Sequence, residues 1–185
     1  ILKDNVEDLT LTGTGAINGT GNSSANTITG NSGINTLDGK AGVDSLIGGA
    51  GNDIYKVDET SDSINEASNL ATEIDTVKST ATSYTLGDTV GKAQIENLVL
   101  ESGAVSGTGN TLNNKIDGNA AANTIDGGTG NDTMTGGDNS DNYTVDSTLD
   151  VVTETNATTA TGGTDTVTSS VTYILGANVE NLTLN

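Results

Sequence analysis

Large apolar residues return at every ninth position in two stretches of this chain, Ile28, Leu37, Leu46 and Tyr55, then Ile116, Ile125, Met134 and Tyr143. Two places before each stands Asn or Asp: Asn26, Asn35, Asp44 and Asp53, then Asn114, Asn123, Asp132 and Asp141. Seven places before each stands Gly, at 21, 30, 39 and 48 and at 109, 118, 127 and 136, so the two stretches superimpose at a shift of 88. One apolar tooth in nine gives no helical stripe. It predicts short strands joined by glycine turns and stacked as the parallel coils of a repeat architecture. Two nine-residue units make one coil of 18, so the turns alternate between two edges. In the first block one edge takes turns 21–26 and 39–44 followed by 57–62, and the other takes 30–35 and 48–53. In the second block, 109–114 stacks with 127–132 and 118–123 with 136–141.

A larger repeat encloses both blocks. Val6-Glu7-Asp8-Leu9-Thr10-Leu11 returns as Ile95-Glu96-Asn97-Leu98-Val99-Leu100 and as Val179-Glu180-Asn181-Leu182-Thr183-Leu184. Asp62 and Glu66 match Asp150 and Glu154, and Asp75-Thr76-Val77 matches Asp165-Thr166-Val167. The chain therefore divides into a first repeat unit, 1–100, with a β-roll at about 19–58 and linker strands at 59–100. The second unit, 101–185, has its roll at about 107–146 and linker strands at 147–185. The linkers set Ile64, Ile74, Val77, Val151, Val152 and Val167 among Ser and Thr, which favours strands. An excess at 88–94 in the first unit reads as a surface loop. Because the chain opens and closes at one phase of the repeat, it reads as a window from a longer array, and no weight attaches to a missing targeting signal.

The turns carry the chemistry. Gly48-Gly49-Ala50-Gly51-Asn52-Asp53-Ile54-Tyr55 and Gly127-Gly128-Thr129-Gly130-Asn131-Asp132-Thr133-Met134 resemble the calcium-binding nonapeptide of the RTX (repeats-in-toxin) family, Gly-Gly-x-Gly-x-Asp-x-apolar-x. The pattern departs at Lys40 and Asn139, which replace glycines, and at the four Asn that stand for Asp. The resemblance implies an all-β fold, a right-handed parallel β-roll or β-solenoid, with calcium ions shared between turns two repeats apart. It places ligands first at Asp44, Asp53, Asp132 and Asp141, and at the turn glycines Gly39, Gly48, Gly51, Gly127, Gly130 and Gly136. Asp58, Asp62, Asp146 and Asp150, at the block ends, come second. Asn35 and Asn123, like Asn26 and Asn114, hold the ligand position without its charge. They either coordinate through the amide oxygen or stack as an amide ladder, so calcium is expected in the later half of each block. Asp75, Asp165, Glu66 and Glu154 are weaker ligand candidates, for which a solvated strand-end carboxylate is the plainer reading, and the tyrosines read as core or rim packing.

Composition narrows the classes. The chain has 25 acidic residues against 6 lysines and a formal charge of -19, with no His, Cys, Trp, Phe or Pro. Such a chain lacks the Lys and Arg clusters that bind phosphate backbones, and it is repelled by anionic membranes. No apolar run is long enough to span a bilayer, so membrane insertion is not expected. Without His or Cys, the usual general base, thiol nucleophile and transition-metal ligands are missing, so no enzyme is expected. A thin apolar stripe recovers about 1.5–3 kcal/mol per fully buried side chain. The backbone alone costs about 1–2 kcal/mol per ordered residue. With self-repulsion on this scale added, the fold is expected to depend on calcium.

The resulting expectation is a structural module of a secreted bacterial surface or matrix protein, such as an adhesin stalk, S-layer or fibre. The family resemblance implies export through a type I system, with folding on calcium outside the cell. The expected partners are calcium and further copies of the repeat. The competing readings are an ice-binding or carbohydrate-binding adhesin domain and the non-catalytic RTX segment of a toxin or hydrolase. Thr129-Gly130-Asn131 suits an ice-binding turn, but Ser32, Ala41 and Asp138 interrupt the ladder.

Overall fold

The computed structural model describes residues 1–66, 72–87, 95–156 and 160–185. The loop expected at 88–94 lies outside them. The described residues contain strands and turns without a helix. Two compact units emerge, one made of Ile1–Ala81 with Gly87–Asn97 and the other of Thr82–Leu86 with Leu98–Asn185.

In the first unit the strands are β1 (Asp8–Thr10), β2 (Gly19–Thr20), β3 (Thr27–Thr29), β4 (Thr36–Asp38), β5 (Ser45–Ile47), β6 (Ile54–Val57), β7 (Ser63–Asn65) and β8 (Asp75–Ser79). They pair in alternate order, β1-β3-β5-β7 on one side and β2-β4-β6-β8 on the other, so successive strands fall in opposite sheets. All the pairings are parallel. The register puts the apolar teeth on top of one another: Ile28 opposite Leu46, and Leu37 opposite Tyr55.

The second unit repeats the plan with β9 (Ser83–Thr85), β10 (Ile95–Leu100, which runs across the division), β11 (Ser106–Thr108), β12 (Lys115–Asp117), β13 (Thr124–Asp126), β14 (Thr133–Thr135), β15 (Asn142–Val145), β16 (Val151–Thr153), β17 (Thr166–Ser169) and β18 (Asn181–Leu184). One side runs β9-β11-β13-β15-β17-β18 and the other β10-β12-β14-β16. Ile116 pairs with Met134, and Ile125 with Tyr143. This alternation of parallel strands is a β-solenoid.

Inside the blocks most strands bury a single apolar side chain, whereas β6 and β15 bury two, with Val57 and Val145, and β10 buries Ile95, Leu98 and Leu100. Ile28, Leu37, Leu46, Tyr55, Ile116, Ile125 and Met134 have no exposed surface, while the residues flanking them in the strands are partly or fully exposed. Tyr143 and Tyr84 are also buried, and Tyr173 sits half-buried at the rim, where its hydroxyl accepts the Val152 N–H at 3.1 Å. The linkers continue the stack, with wider coils where they leave the blocks and a narrower one, of 15 residues, between β17 and β18. Val77 lies opposite Tyr55, and Val167 opposite Tyr143. The next-coil hydrogen bonds there span 22 and 24 residues, against 18 inside the blocks.

Two turns depart from the glycine pattern without losing its shape. Lys40 and Asn139 take the left-handed backbone, at φ 66° and 69°. Asn tolerates this region through its short polar side chain, whereas Lys pays the Cβ clash.

Candidate metal centre

The residue two places before each core tooth turns its side chain inward, and its backbone N–H is met by the carboxylate one coil on. On one edge of the first unit the Asn26 N–H donates to Asp44 Oδ1 at 2.7 Å, and the Asp44 N–H to Asp62 Oδ1 at 2.9 Å. On the other edge Asn35 donates to Asp53 Oδ1 at 2.7 Å, Asp53 to Asp75 Oδ1 at 2.6 Å, and Asp75 to Glu96 Oε2 at 2.8 Å. The second unit has the same rungs: Asn114 to Asp132 and Asp132 to Asp150, then Asn123 to Asp141, Asp141 to Asp165 and Asp165 to Glu180. Each rung satisfies an otherwise buried backbone donor.

At the Asp positions the rung uses one oxygen and leaves the other. Oδ2 of Asp44, Asp53, Asp132 and Asp141 is buried and accepts no hydrogen bond. The Asn positions leave nothing over. Asn35 Oδ1 accepts the Asn31 N–H at 2.8 Å, and its Nδ2 donates to the Ile17 carbonyl at 2.7 Å. Asn26 does the same with Asn22 and Val6, and Asn123 with Asn119 and Ala104. Asn114 Oδ1 accepts the Asn110 N–H at 2.7 Å. These amides tie the turn to its own backbone and to that of the preceding coil.

The block ends behave differently from the turns. Asp62 spends Oδ1 on Asp44 and Oδ2 on the N–H groups of Asp58 and Glu59, and Asp150 does so with Asp132, Asp146 and Ser147. Both therefore cap a turn. Asp58 is exposed and Asp146 half-buried beside them.

The turn glycines make room for these groups. A Cβ on Gly39 or Gly136 would collide with Oδ2 of Asp44 or Asp141, and on Gly127 it would lie 2.5 Å from Asp132 Oδ2. Gly51 and Gly130 hold positive φ, 112° and 143°, and a Cβ on either would crowd the carbonyl group of Gly33 or Leu112 in the preceding turn.

Each unit buries five carboxylates among its described residues: Asp44, Asp53, Asp62, Glu66 and Asp75, then Asp132, Asp141, Asp150, Glu154 and Asp165. Ionised and uncompensated, each would cost several kcal/mol on the order of magnitude known for buried ions. Burial pushes Asp44, Asp53 and Asp132 up to about 6, against the pull of the Asn26, Asn35 and Asn114 N–H groups. Nearby carboxylates, such as Asp62, Asp58 and Asp38 around Asp44, add to the rise. Asp141 and Asp75 reach about 7 and Glu66 about 9, again chiefly through burial. Lys40 pairs with Asp38 and Lys115 with Asp117 at the surface. A divalent cation offers these sites the missing charge. Calcium takes about six to eight oxygens from carboxylates and carbonyls, and the donor set here is oxygen throughout, so the residues fit it.

Reading Glu66, Glu154, Asp75 and Asp165 as solvated strand ends is wrong. They are 1, 5, 1 and 2% exposed. One carboxylate oxygen each from Asp53, Glu66 and Asp75 lie within 4.8 Å of one another, and Asp141, Glu154 and Asp165 form the same group. The signal in the sequence was their recurrence at matching places in both units. Glu96 and Glu180, which end the ladders, belong to the recurring Glu-Asn-Leu motif.

Parallel coils and acid-and-glycine turns with unspent oxygens define a structural β-solenoid whose acidic groups could coordinate a metal. The two blocks match the RTX calcium-binding nonapeptide repeat in four copies, over residues 20–55 and 108–143. The chain thus carries the repeats of the RTX family, a structural calcium-binding module. Comparison with curated proteins and with solved structures gives no match.

Proposed function

We propose that this chain is a stretch of a secreted bacterial surface or matrix protein, an adhesin stalk, S-layer or fibre, that folds when it meets calcium outside the cell. The observation that carries the reading is the set of buried, unpartnered Oδ2 atoms of Asp44, Asp53, Asp132 and Asp141. In this reading those four carboxylates, with carbonyls of turns built on Gly39, Gly48, Gly51, Gly127, Gly130 and Gly136, hold the ions. Asp58 and Asp146 add charge at the block ends, Asp62 and Asp150 cap them, and Asn35 and Asn123 brace the turns without coordinating.

Calcium would neutralise the buried charge and tie successive turns together. The chain's own contribution is to aim one oxygen of each Asp into the turn while the backbone holds the other. Ions that bind only the folded state stabilise it by mass action, so a chain with a -19 charge and a thin core has a built-in dependence on extracellular calcium. Self-association through continued repeats would extend the module into a rod or fibre, and the reading assigns it no catalysis.

Circular dichroism during calcium titration and chelation tests this. We expect β-structure to appear with calcium and disappear in excess chelator. β-structure that persists in chelator at neutral pH would sink the coupled-folding claim.

A further inference from the structure

We propose that the divalent cation held by Asp53, and by Asp141 in the second unit, takes its other side-chain ligands from outside the nonapeptide ligand positions, where the block meets its linker. The site is built from Asp53, Glu66, Asp75 and the Tyr55 hydroxyl in the first unit, and from Asp141, Glu154, Asp165 and Tyr143 in the second. The proposal rests on the calcium reading of the turns.

Register puts the glutamate there. Ile47 pairs with Asn65 and Thr135 with Thr153, so the next residues, Glu66 and Glu154, stack over Gly48 and Gly136. Inside a block that place belongs to a glycine. Here a long carboxylate fills it and folds inward. A Cβ on Gly48 would strike the Tyr55 hydroxyl, Asp53 Oδ2 and Glu66 Oε1 together. Three oxygens from three different places in the chain therefore converge beside one glycine.

Two of the three have no partner: Tyr55, with no exposed surface, leaves its hydroxyl without a hydrogen bond, and Asp53 leaves Oδ2 so. The Glu66 oxygens make no hydrogen bond of good geometry, although the nearby Gly49 N–H pulls against the effect of burial. In the second unit the Tyr143 hydroxyl donates to Glu154 Oε1, the Gly136 and Gly137 N–H groups pull on the same carboxylate, and Asp141 Oδ2 stays unpartnered. A buried tyrosine normally finds a partner for its hydroxyl, and orphaned buried oxygens are rare enough to need a cause. Asp75 and Asp165 close the set from the linker, each with Oδ1 held by the N–H of the Asp below. Three carboxylates and a phenol, with neither nitrogen nor sulfur, select a hard cation such as calcium. The constellation occurs twice, at a shift of 88 for Asp, Tyr and Glu and of 90 for the last Asp. Its effect would be to fasten each linker coil to its block when the cation is present.

The test uses the full chain with calcium alone and then terbium alone. Because a tyrosine hydroxyl touches each site, we expect tyrosine-sensitised terbium emission. Calcium stoichiometry by calorimetry should fall by one ion in Glu66→Gln and by two in the Glu66→Gln, Glu154→Gln double variant, which should also lose the emission. Asp44→Asn with Asp132→Asn, on the opposite edge, should keep it. If the double variant does not fold, Glu66→Gln alone, with its second unit intact, should show half the emission. Wild-type stoichiometry and emission in folded Glu66→Gln would overturn this site while leaving the turn reading standing. A wild-type chain that binds no calcium would overturn both.

Discussion

Asn35 and Asp53 stand one coil apart on the same edge of the first unit and differ by an amide nitrogen in place of an oxygen, but they leave their turns in opposite electrostatic states. The amide of Asn35 has a donor for the Ile17 carbonyl and an acceptor for the Asn31 N–H. The carboxylate of Asp53 takes the Asn35 N–H on one oxygen and has nothing for the other. Asn123 and Asp141 repeat the contrast in the second unit. The Asn side chains in the early half of each block are thus engaged by their own hydrogen bonds, and the Asp side chains of the later half keep a buried oxygen unspent. Two copies of one nonapeptide therefore present different donors. On the proposed reading, Asn turns would be the scaffold and Asp turns would carry the dependence on metal.

The largest test exchanges the two kinds of turn. Replacing Asp44, Asp53, Asp132 and Asp141 by Asn should invert the calcium response. In chelator the variant should be more stable than the wild type, and in calcium less stable, by about 1–3 kcal/mol per site, the scale of an unsatisfied buried polar group. Denaturation curves in both conditions measure it. A variant that still needs calcium to fold would break the comparison.

Acidity should act on the same oxygens, with a sign set by the raised pKa values. Unfolded carboxylates titrate at about 4, below the folded values, so in chelator the folded state binds protons more tightly than the unfolded one. Their contribution is fully present below about pH 4. It is lost as pH rises through about 6 for Asp44, Asp53 and Asp132 and about 7 for Asp141 and Asp75. Metal-free chain should therefore gain β-structure on acidification from pH 8 to 5, while the calcium midpoint rises because protons compete for the ligands. Dichroism followed across that range would sharpen the comparison, and a flat profile in chelator would contradict it.

The smallest effect belongs to the backbone. Lys40 holds φ 66° where the pattern has glycine. Lys40→Gly should stabilise the chain by about 1 kcal/mol, the scale of the left-handed penalty, less the little that the exposed Lys40–Asp38 pair contributes. Because this strain is independent of charge, the gain should be equal in calcium and in chelator.

Much of this was legible in the chain. The nine-residue period gave the stacking of Leu37 on Tyr55 and of Ile116 on Met134, because one apolar tooth per strand has one place to go. The inward-turned Asp of each later turn was legible for the same reason. The hydrogen bonds of Asp62 and Asp150 were not, since only the folded turn brings neighbouring N–H groups to both their oxygens. Nor was the burial of Glu66 and Asp75. In a linker that keeps neither the period nor the glycines, a carboxylate beside Ser and Thr looks solvated, and the register of β7 and β8 alone turns it inward.

Periodicity by itself determined the stacked architecture, because a repeat of nine imposes the same local geometry at every tooth, and the resemblance to the RTX nonapeptide pointed to the candidate ligands. Tertiary structure decided which oxygens remain unspent. Whether a buried carboxylate is satisfied depends on the N–H groups that stacking brings to it from a coil away, 18 residues inside the blocks and 15 to 24 in the linkers.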